Sequence, residues 1–132
     1  MAFKPGPMQV IHNFFSTKEE VLDDIKKLDL WPTVYVSERM DELPPHWHDL
    51  DNCGYVMEGR SYVINEENEK IPLGPGDKLY IPSGAIHAEG KVEERMIYIV
   101  GMPVKFIPGT SLFVTIFISA IVTVLHAFNY GS

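Results

Sequence analysis

His46-Trp47-His48-Asp49-Leu50-Asp51-Asn52-Cys53-Gly54-Tyr55-Val56-Met57-Glu58-Gly59 is the stretch on which the reading of this chain turns. Asn52 to Met57 is β-prone and runs into a turn at Glu58-Gly59. On an extended chain, residues i and i+2 share a face. His46 and His48 therefore project to one side and Trp47 to the other. Two imidazoles on one side form a chelating pair suited to a first-row metal. Alone, the pattern equally describes two polar residues on an exposed face.

Working outward, short β-prone runs alternate with turns. Thr33 to Ser37, Asn52 to Met57, Ser61 to Asn65, Lys78 to Ile81 and Met96 to Val100 read as strands. Leu43-Pro44-Pro45, Glu58-Gly59, Asn65 to Asn68, Gly74-Pro75-Gly76-Asp77 and Pro82-Ser83-Gly84 read as turns. Closely spaced strands of this kind predict an antiparallel sandwich or barrel. Upstream, Ser16-Thr17-Lys18-Glu19 fits a capping box, followed by Val21, Leu22, Ile25 and Leu28 at helical spacing. Acidic residues at the start and Lys26-Lys27 at the end suit the helix dipole. This predicts an amphipathic helix over 17–28, stopped by Trp31-Pro32. Met1 to Met8 reads as an irregular or edge segment, with no secretory signal pattern.

A second stretch completes the pattern: Gly76-Asp77-Lys78-Leu79-Tyr80-Ile81-Pro82-Ser83-Gly84-Ala85-Ile86-His87. With the first, it resembles the two motifs of the cupin family, G-x5-H-x-H-x3-4-E-x6-G and G-x5-P-x-G-x2-H-x3-N. The resemblance is detailed from Pro44 to His87 and looser from Thr33 to Met102. It implies a mostly β fold, a single-domain jelly-roll barrel with one N-terminal α-helix and an apolar C-terminal segment. The divisions expected are an arm and helix at 1–32, the barrel at 33–104, and the apolar segment at 105–132.

The resemblance also implies that His46, His48 and His87 hold one divalent transition metal: iron, zinc, nickel or manganese. Asn52 falls where the family has its glutamate ligand, Met40 where the first motif begins with glycine, and Lys91 where the second ends with asparagine. Asn52 offers only a neutral carbonyl, so it is expected as a weak fourth ligand. Three histidines with open positions still suit catalysis. Glu89, two residues past His87, shares its strand face as a candidate base, although a surface position is the expectation. Asp51 reaches the site only through an irregular turn, and Asp49 is off the ligand face.

Other residues take plainer readings. Trp47 is expected to pack on the outer face, under the helix. Cys53 should point away from the site as an inert buried thiol. Tyr35, Tyr80, Tyr98 and Met96 are barrel-lining candidates whose face the sequence leaves open. His12 and His126 read as structural. No Ser-His-Asp pattern argues for acyl transfer. Gly74 and Gly76 belong to a hairpin turn, because no helix follows them as a phosphate loop requires.

Composition bounds the function. The 132 residues carry 11 Lys plus Arg against 18 Asp plus Glu, a net charge of -7. That balance argues against a nucleic-acid partner, which needs clustered basic residues. The single Cys53 excludes an internal disulfide framework and a Cys-rich zinc site, and it favours a reducing compartment. From Phe106 to Ser132 there is no charged residue. Residues 110–128 are apolar all round and long enough to cross a bilayer as a helix. Their Val, Ile, Thr and Phe content suits buried strands equally well. A membrane tether and a segment packed on the barrel or a second subunit both stay open, as does an end atypical of the family.

The expected function is a metal-dependent enzyme acting on a small organic molecule, with dioxygenase-like chemistry the leading subclass. The alternative is a non-catalytic small-ligand-binding or sensor barrel with a weakened or lost metal site. A metal that only stiffens the barrel is a third reading. A homodimer is expected, in the cytoplasm, with membrane contact through 110–128 if that segment tethers it.

Overall fold

Every strand expected from the sequence is found, most of them longer, in the computed structural model, which describes residues 6–103. The elements are β1 (Gln9–Ile11), α1 (Lys18–Lys27), β2 (Trp31–Met40), β3 (Asn52–Glu58), β4 (Ser61–Ile64), β5 (Lys70–Leu73), β6 (Lys78–Ile81), β7 (Ala88–Glu89) and β8 (Val92–Met102). β1, β5 and β7 were not anticipated. β1 and β7 have too few residues to show an alternation, and β5, as long as β4 and β6, carries Pro72, which argues against a strand.

Two antiparallel sheets form. One has five strands in the order β1-β6-β3-β8-β2, the other three in the order β5-β4-β7. Both contribute to one apolar cluster between them. Val56, Leu79, Ile81 and Met96 come from the larger sheet, and Val63 and Leu73 from the smaller. Each such side chain contributes about 1.5–3 kcal/mol when fully buried.

The outer face of the larger sheet carries the helix. Val21 and Ile25 of α1 pack with Phe15, Cys53, Tyr55 and Ile99. Only Val21 and Ile25 of the expected apolar stripe are buried, while Leu22 and Leu28 remain exposed. The helix begins one residue later than expected. Thr17 is the N-cap, its Oγ1 accepting from Glu20 N at 3.3 Å. Two overlapping boxes exist in the sequence, and the later one is used. The C-terminus is not stopped by Trp31-Pro32, which already lie in β2. It ends instead in a Schellman turn, with Asp29 at φ 57° and Leu30 N donating to Ile25 O at 3.0 Å.

A polar clamp fixes α1 to the sheet. Lys78 Nζ donates to Asp24 Oδ2 at 2.7 Å, and the Tyr55 hydroxyl donates to the same oxygen. The Lys78 ammonium also sits 4.4 Å over the Phe14 ring. Cys53 is fully buried on this side, its thiol donating to the Tyr55 hydroxyl at 3.3 Å. Burial pushes that thiol's pKa up, so Cys53 is the inert thiol expected.

No helix among the described residues is long and apolar enough to cross a membrane. Residues 110–128 and His126 lie outside the described residues, so the readings attached to them do too.

Candidate metal centre

Two extended segments build the site. His46 and His87 face each other across an antiparallel bridge, His46 N donating to His87 O at 2.8 Å and His87 N to His46 O at 3.0 Å. Residues facing across such a bridge put their side chains on the same side. Alternation then brings His48 to that side from one segment and Glu89 from the other. The segments are stapled at both ends, by Leu43 N to Glu89 O at 3.0 Å and Gly84 N to His48 O at 2.9 Å. Ser83 adds two bonds, its N–H to Asp51 Oδ1 at 2.7 Å and its hydroxyl to Asp49 O at 2.8 Å. Asp51 is thus engaged in holding the loop.

The ring centroids of the three histidines lie 4.5–5.1 Å apart. One ligand atom each from His46, His48, His87 and Glu89 lies within 4.8 Å of the others, a grouping that could hold a metal ion. Nitrogen and oxygen ligands about 2.0–2.2 Å from an ion stand about 3–3.5 Å apart in tetrahedral geometry. Small rotations would bring these four onto one ion.

The electrostatics favour a cation there. His46 Nδ1 lies 2.8 Å from Pro44 O, and His87 Nδ1 lies 2.9 Å from Ala85 O. A carbonyl oxygen only accepts, so both Nδ1 atoms carry the proton and both Nε2 atoms present a lone pair. Those lone pairs face a carboxylate: His46 Nε2 is 2.8 Å from Glu89 Oε2, and His87 Nε2 is 3.3 Å from Glu89 Oε1. His46 Nε2, His87 Nε2 and Glu89 Oε2 are buried and lack a hydrogen-bond partner. Acceptors facing acceptors are repulsive unless a proton or a metal ion lies between them. Backbone carbonyls that orient an imidazole through its other nitrogen are a recurring support of metal-ligating histidines.

Without an ion, protons are the alternative occupants of these contacts. Burial lowers the His46 pKa, but the Glu89 carboxylate outweighs it and holds that imidazole above its ordinary value. Burial alone would raise Glu89, yet the hydrogen bonds and charge of His46 and His87 hold it well below the usual carboxylate range. His48 is pushed down to about 4 by burial and by the other two imidazoles, against the pull of Glu89. At neutral pH it therefore offers a free lone pair.

Glu89 is the main departure from expectation. Its side chain is 29% accessible, but its Oε2 is buried and it groups with the three histidines. The signal was available, since Glu89 stands to His87 as His48 stands to His46. Asn52, at the acidic position of the motif, begins β3 opposite Ile81 and lies on the same face as Val56. Trp47 does not pack under the helix. It is 63% exposed, because the bridge puts it on the outer surface of the loop, beyond the sheet that α1 covers. Of the barrel-lining candidates, Met96 and Tyr98 join the inner cluster, and Tyr35 shares the inner face as the cross-strand partner of Tyr98. Tyr80 packs with the helix-side cluster. His12 ties the N-terminal arm to Asp77 at 3.1 Å.

The family model for the Cupin domain matches residues 35–100, half of the chain. Among solved structures, the chain is similar to a DUF861 family protein from Thermotoga maritima at 19% identity and a TM-score of 0.53, covering 72% of this chain and 98% of that one. It is also similar to a cupin-2 domain containing protein from Shewanella frigidimarina at 26% identity and a TM-score of 0.48, covering 58% and 72%. KdgF from Halomonas sp. matches at 29% identity and a TM-score of 0.48, covering 58% and 72%. The first of these supports the fold. A search of curated proteins finds no match.

Proposed function

The chain belongs to the cupin family, and from that premise we propose that it is a metal-dependent enzyme acting on a small organic molecule inside the barrel. His46, His48, His87 and Glu89 would hold one divalent transition metal. The observation that carries this reading is the grouping of His46, His48, His87 and Glu89, with one ligand atom each within 4.8 Å of the others, where His46 Nε2, His87 Nε2 and Glu89 Oε2 are buried without a hydrogen-bond partner. Glu89 takes the part of the acidic ligand that Asn52 cannot play. Asn52 is left as a weaker oxygen donor, so its removal should matter less. When bound, the metal would supply a Lewis acid and, as iron, a site for redox chemistry. The chain's own residues orient the ligands, keep His48 neutral and leave coordination positions open. Dioxygenase-like chemistry is the form of the reaction we favour.

The substitution of Asn52 for the motif's glutamate favours a second reading, a small-ligand sensor without turnover. Oxygen uptake by the Fe(II)-loaded protein, assayed against small hydroxy acids, keto acids and enediols, separates the two. The enzyme reading predicts uptake that the Zn(II)-loaded protein lacks. Ligand binding without uptake or product would select the sensor. We further propose a homodimer built on β2, an edge strand among the described residues, in a reducing, cytoplasmic setting that suits the single thiol.

A further inference from the structure

The four side chains of the site are not held alike. His46 and His87 sit in the antiparallel bridge itself. A backbone carbonyl orients each ring, with His46 Nδ1 at 2.8 Å from Pro44 O and His87 Nδ1 at 2.9 Å from Ala85 O. Glu89 spans both, its Oε2 2.8 Å from His46 Nε2 and its Oε1 3.3 Å from His87 Nε2. The histidine side chains of this trio are 13% and 0% accessible. All three groups are thus in place before any ion arrives.

His48 is held by its backbone alone. Gly84 N donates to its carbonyl at 2.9 Å. Among the described residues its ring makes no hydrogen bond, and neither Glu89 oxygen pairs with it. It adds no atom to the buried, unpartnered set of His46 Nε2, His87 Nε2 and Glu89 Oε2, so its nitrogens are open to solvent. The ring is nonetheless within reach of the site. Its centroid lies 5.1 Å from each of the other two, and it offers a ligand atom within 4.8 Å of those of the trio. Ser83 ties down the loop beyond it through Asp49 O and Asp51 Oδ1. The freedom therefore belongs to the side chain and not to the loop.

Resting on the metal reading above, we propose that His46, His87 and Glu89 are the fixed ligands and that His48 is the exchangeable one, giving up its position to an oxygen or nitrogen donor of the incoming small molecule. An imidazole whose second nitrogen is hydrogen-bonded is locked in tautomer and orientation, and losing such a partner costs about 10–100-fold in metal affinity. His48 starts without one. Two histidines and a carboxylate are a sufficient set in their own right, since non-haem iron(II) oxygenases hold their metal with them and leave other positions open. In the resting protein His48 fills one of those positions. Rotation of its side chain clears that position without moving the backbone.

The test uses the full chain loaded with Co(II), azide as the probe, and the hyperfine-shifted proton NMR signals of the ligating imidazoles as the readout. Metal-free His48→Ala should unfold at the same temperature as the metal-free parent. It should bind Co(II) within ~10-fold of the parent's affinity, while His46→Ala and His87→Ala lose at least ~100-fold, more than the loss of an orienting partner costs. The parent should show three shifted imidazole sets. The set absent from His48→Ala should leave the shifted region as azide saturates, and the other two should stay. If all three persist at the highest azide concentration, if a different set leaves, or if His48→Ala loses Co(II) as fully as His87→Ala, the assignment of His48 is overturned and the metal reading stands. If the parent binds no Co(II), the metal reading fails and takes this inference with it. Should His48→Ala misfold, His48→Gln replaces it in the same comparison, and the same outcomes decide.

Discussion

Lone pairs aimed at lone pairs make the four-residue centre costly when nothing lies between them. Glu89 and His46 can share a proton, which relieves one contact but leaves His87 Nε2 facing Glu89 Oε1. A dication relieves both contacts at once. Binding the folded chain alone would stabilise it, by about 2.7 kcal/mol at a free metal concentration 100 times the dissociation constant. Zn(II) should therefore raise the melting temperature of the parent, and a His87→Ala variant should show little of that rise. Asp77 is a second residue whose ionised form the fold supports. It is buried, which by itself raises its pKa, but hydrogen bonds from Gly74 N and Asn13 N, with His12, outweigh this and bring it below the ordinary 3.8. A depressed folded pKa adds stability that is fully present above the unfolded value and lost as pH falls through the folded one. Asp77→Asn should cost about 1.5–3 kcal/mol at pH 7. That difference from the parent should shrink on acidification below about pH 4, as urea unfolding at several pH values would show. Gly59 closes the first motif for a plain reason. Its φ is +90°, and a Cβ would lie 2.2 Å from Arg95 O. Gly59→Ala must shift β8 or the turn.

At the scale of elements, α1 is attached by burial and by one clamp. Lys78 and Asp24 are largely buried, with side chains 11% and 17% accessible. Removing one partner of such a pair strands the other, at a cost of about 3–5 kcal/mol, whereas replacing both by apolar residues is often neutral. Asp24→Ala should be strongly destabilising, and an Asp24→Leu/Lys78→Met double variant should recover most of the loss in denaturant melts. Equal losses in the single and double variants would show that the pair itself, not the stranded charge, matters. How legible these elements were depended on their length and on breakers such as Pro72 in β5. The strands with several alternating residues, such as Asn52–Glu58, could be read directly. The two-residue Ala88–Glu89 strand could not, because it exists through pairing with Val63 and Ile64 rather than through any local preference. The histidines were legible because H-x-H encodes its own geometry. Their carboxylate was legible only through the two-residue spacing of Glu89 from His87, because the motif position that normally supplies it holds Asn52.

At the scale of the whole molecule, the ten-residue strand β2 is an edge of the five-stranded sheet among the described residues. Val34 is 63% exposed and Val36 44% exposed. Long apolar edges are rarely left bare, since they pair with other chains. A second copy is the partner we propose. Light scattering should then give twice the 15.0 kDa chain mass, and Val34→Lys should shift it toward the monomer; a monomeric parent would contradict the dimer. The central claim is narrower: a metal held by three histidines and Glu89. The direct measurement is metal content of anaerobically purified protein by elemental analysis, in the parent, Asn52→Ala, Glu89→Gln and the His46→Ala/His48→Ala/His87→Ala variant. The account predicts one ion per chain in the parent, retention in Asn52→Ala, affinity reduced at least ~10-fold in Glu89→Gln, and none in the triple variant. A parent that stays metal-free after reloading with Fe(II), Ni(II), Mn(II) and Zn(II), or a Glu89→Gln variant that binds as the parent does, would contradict it.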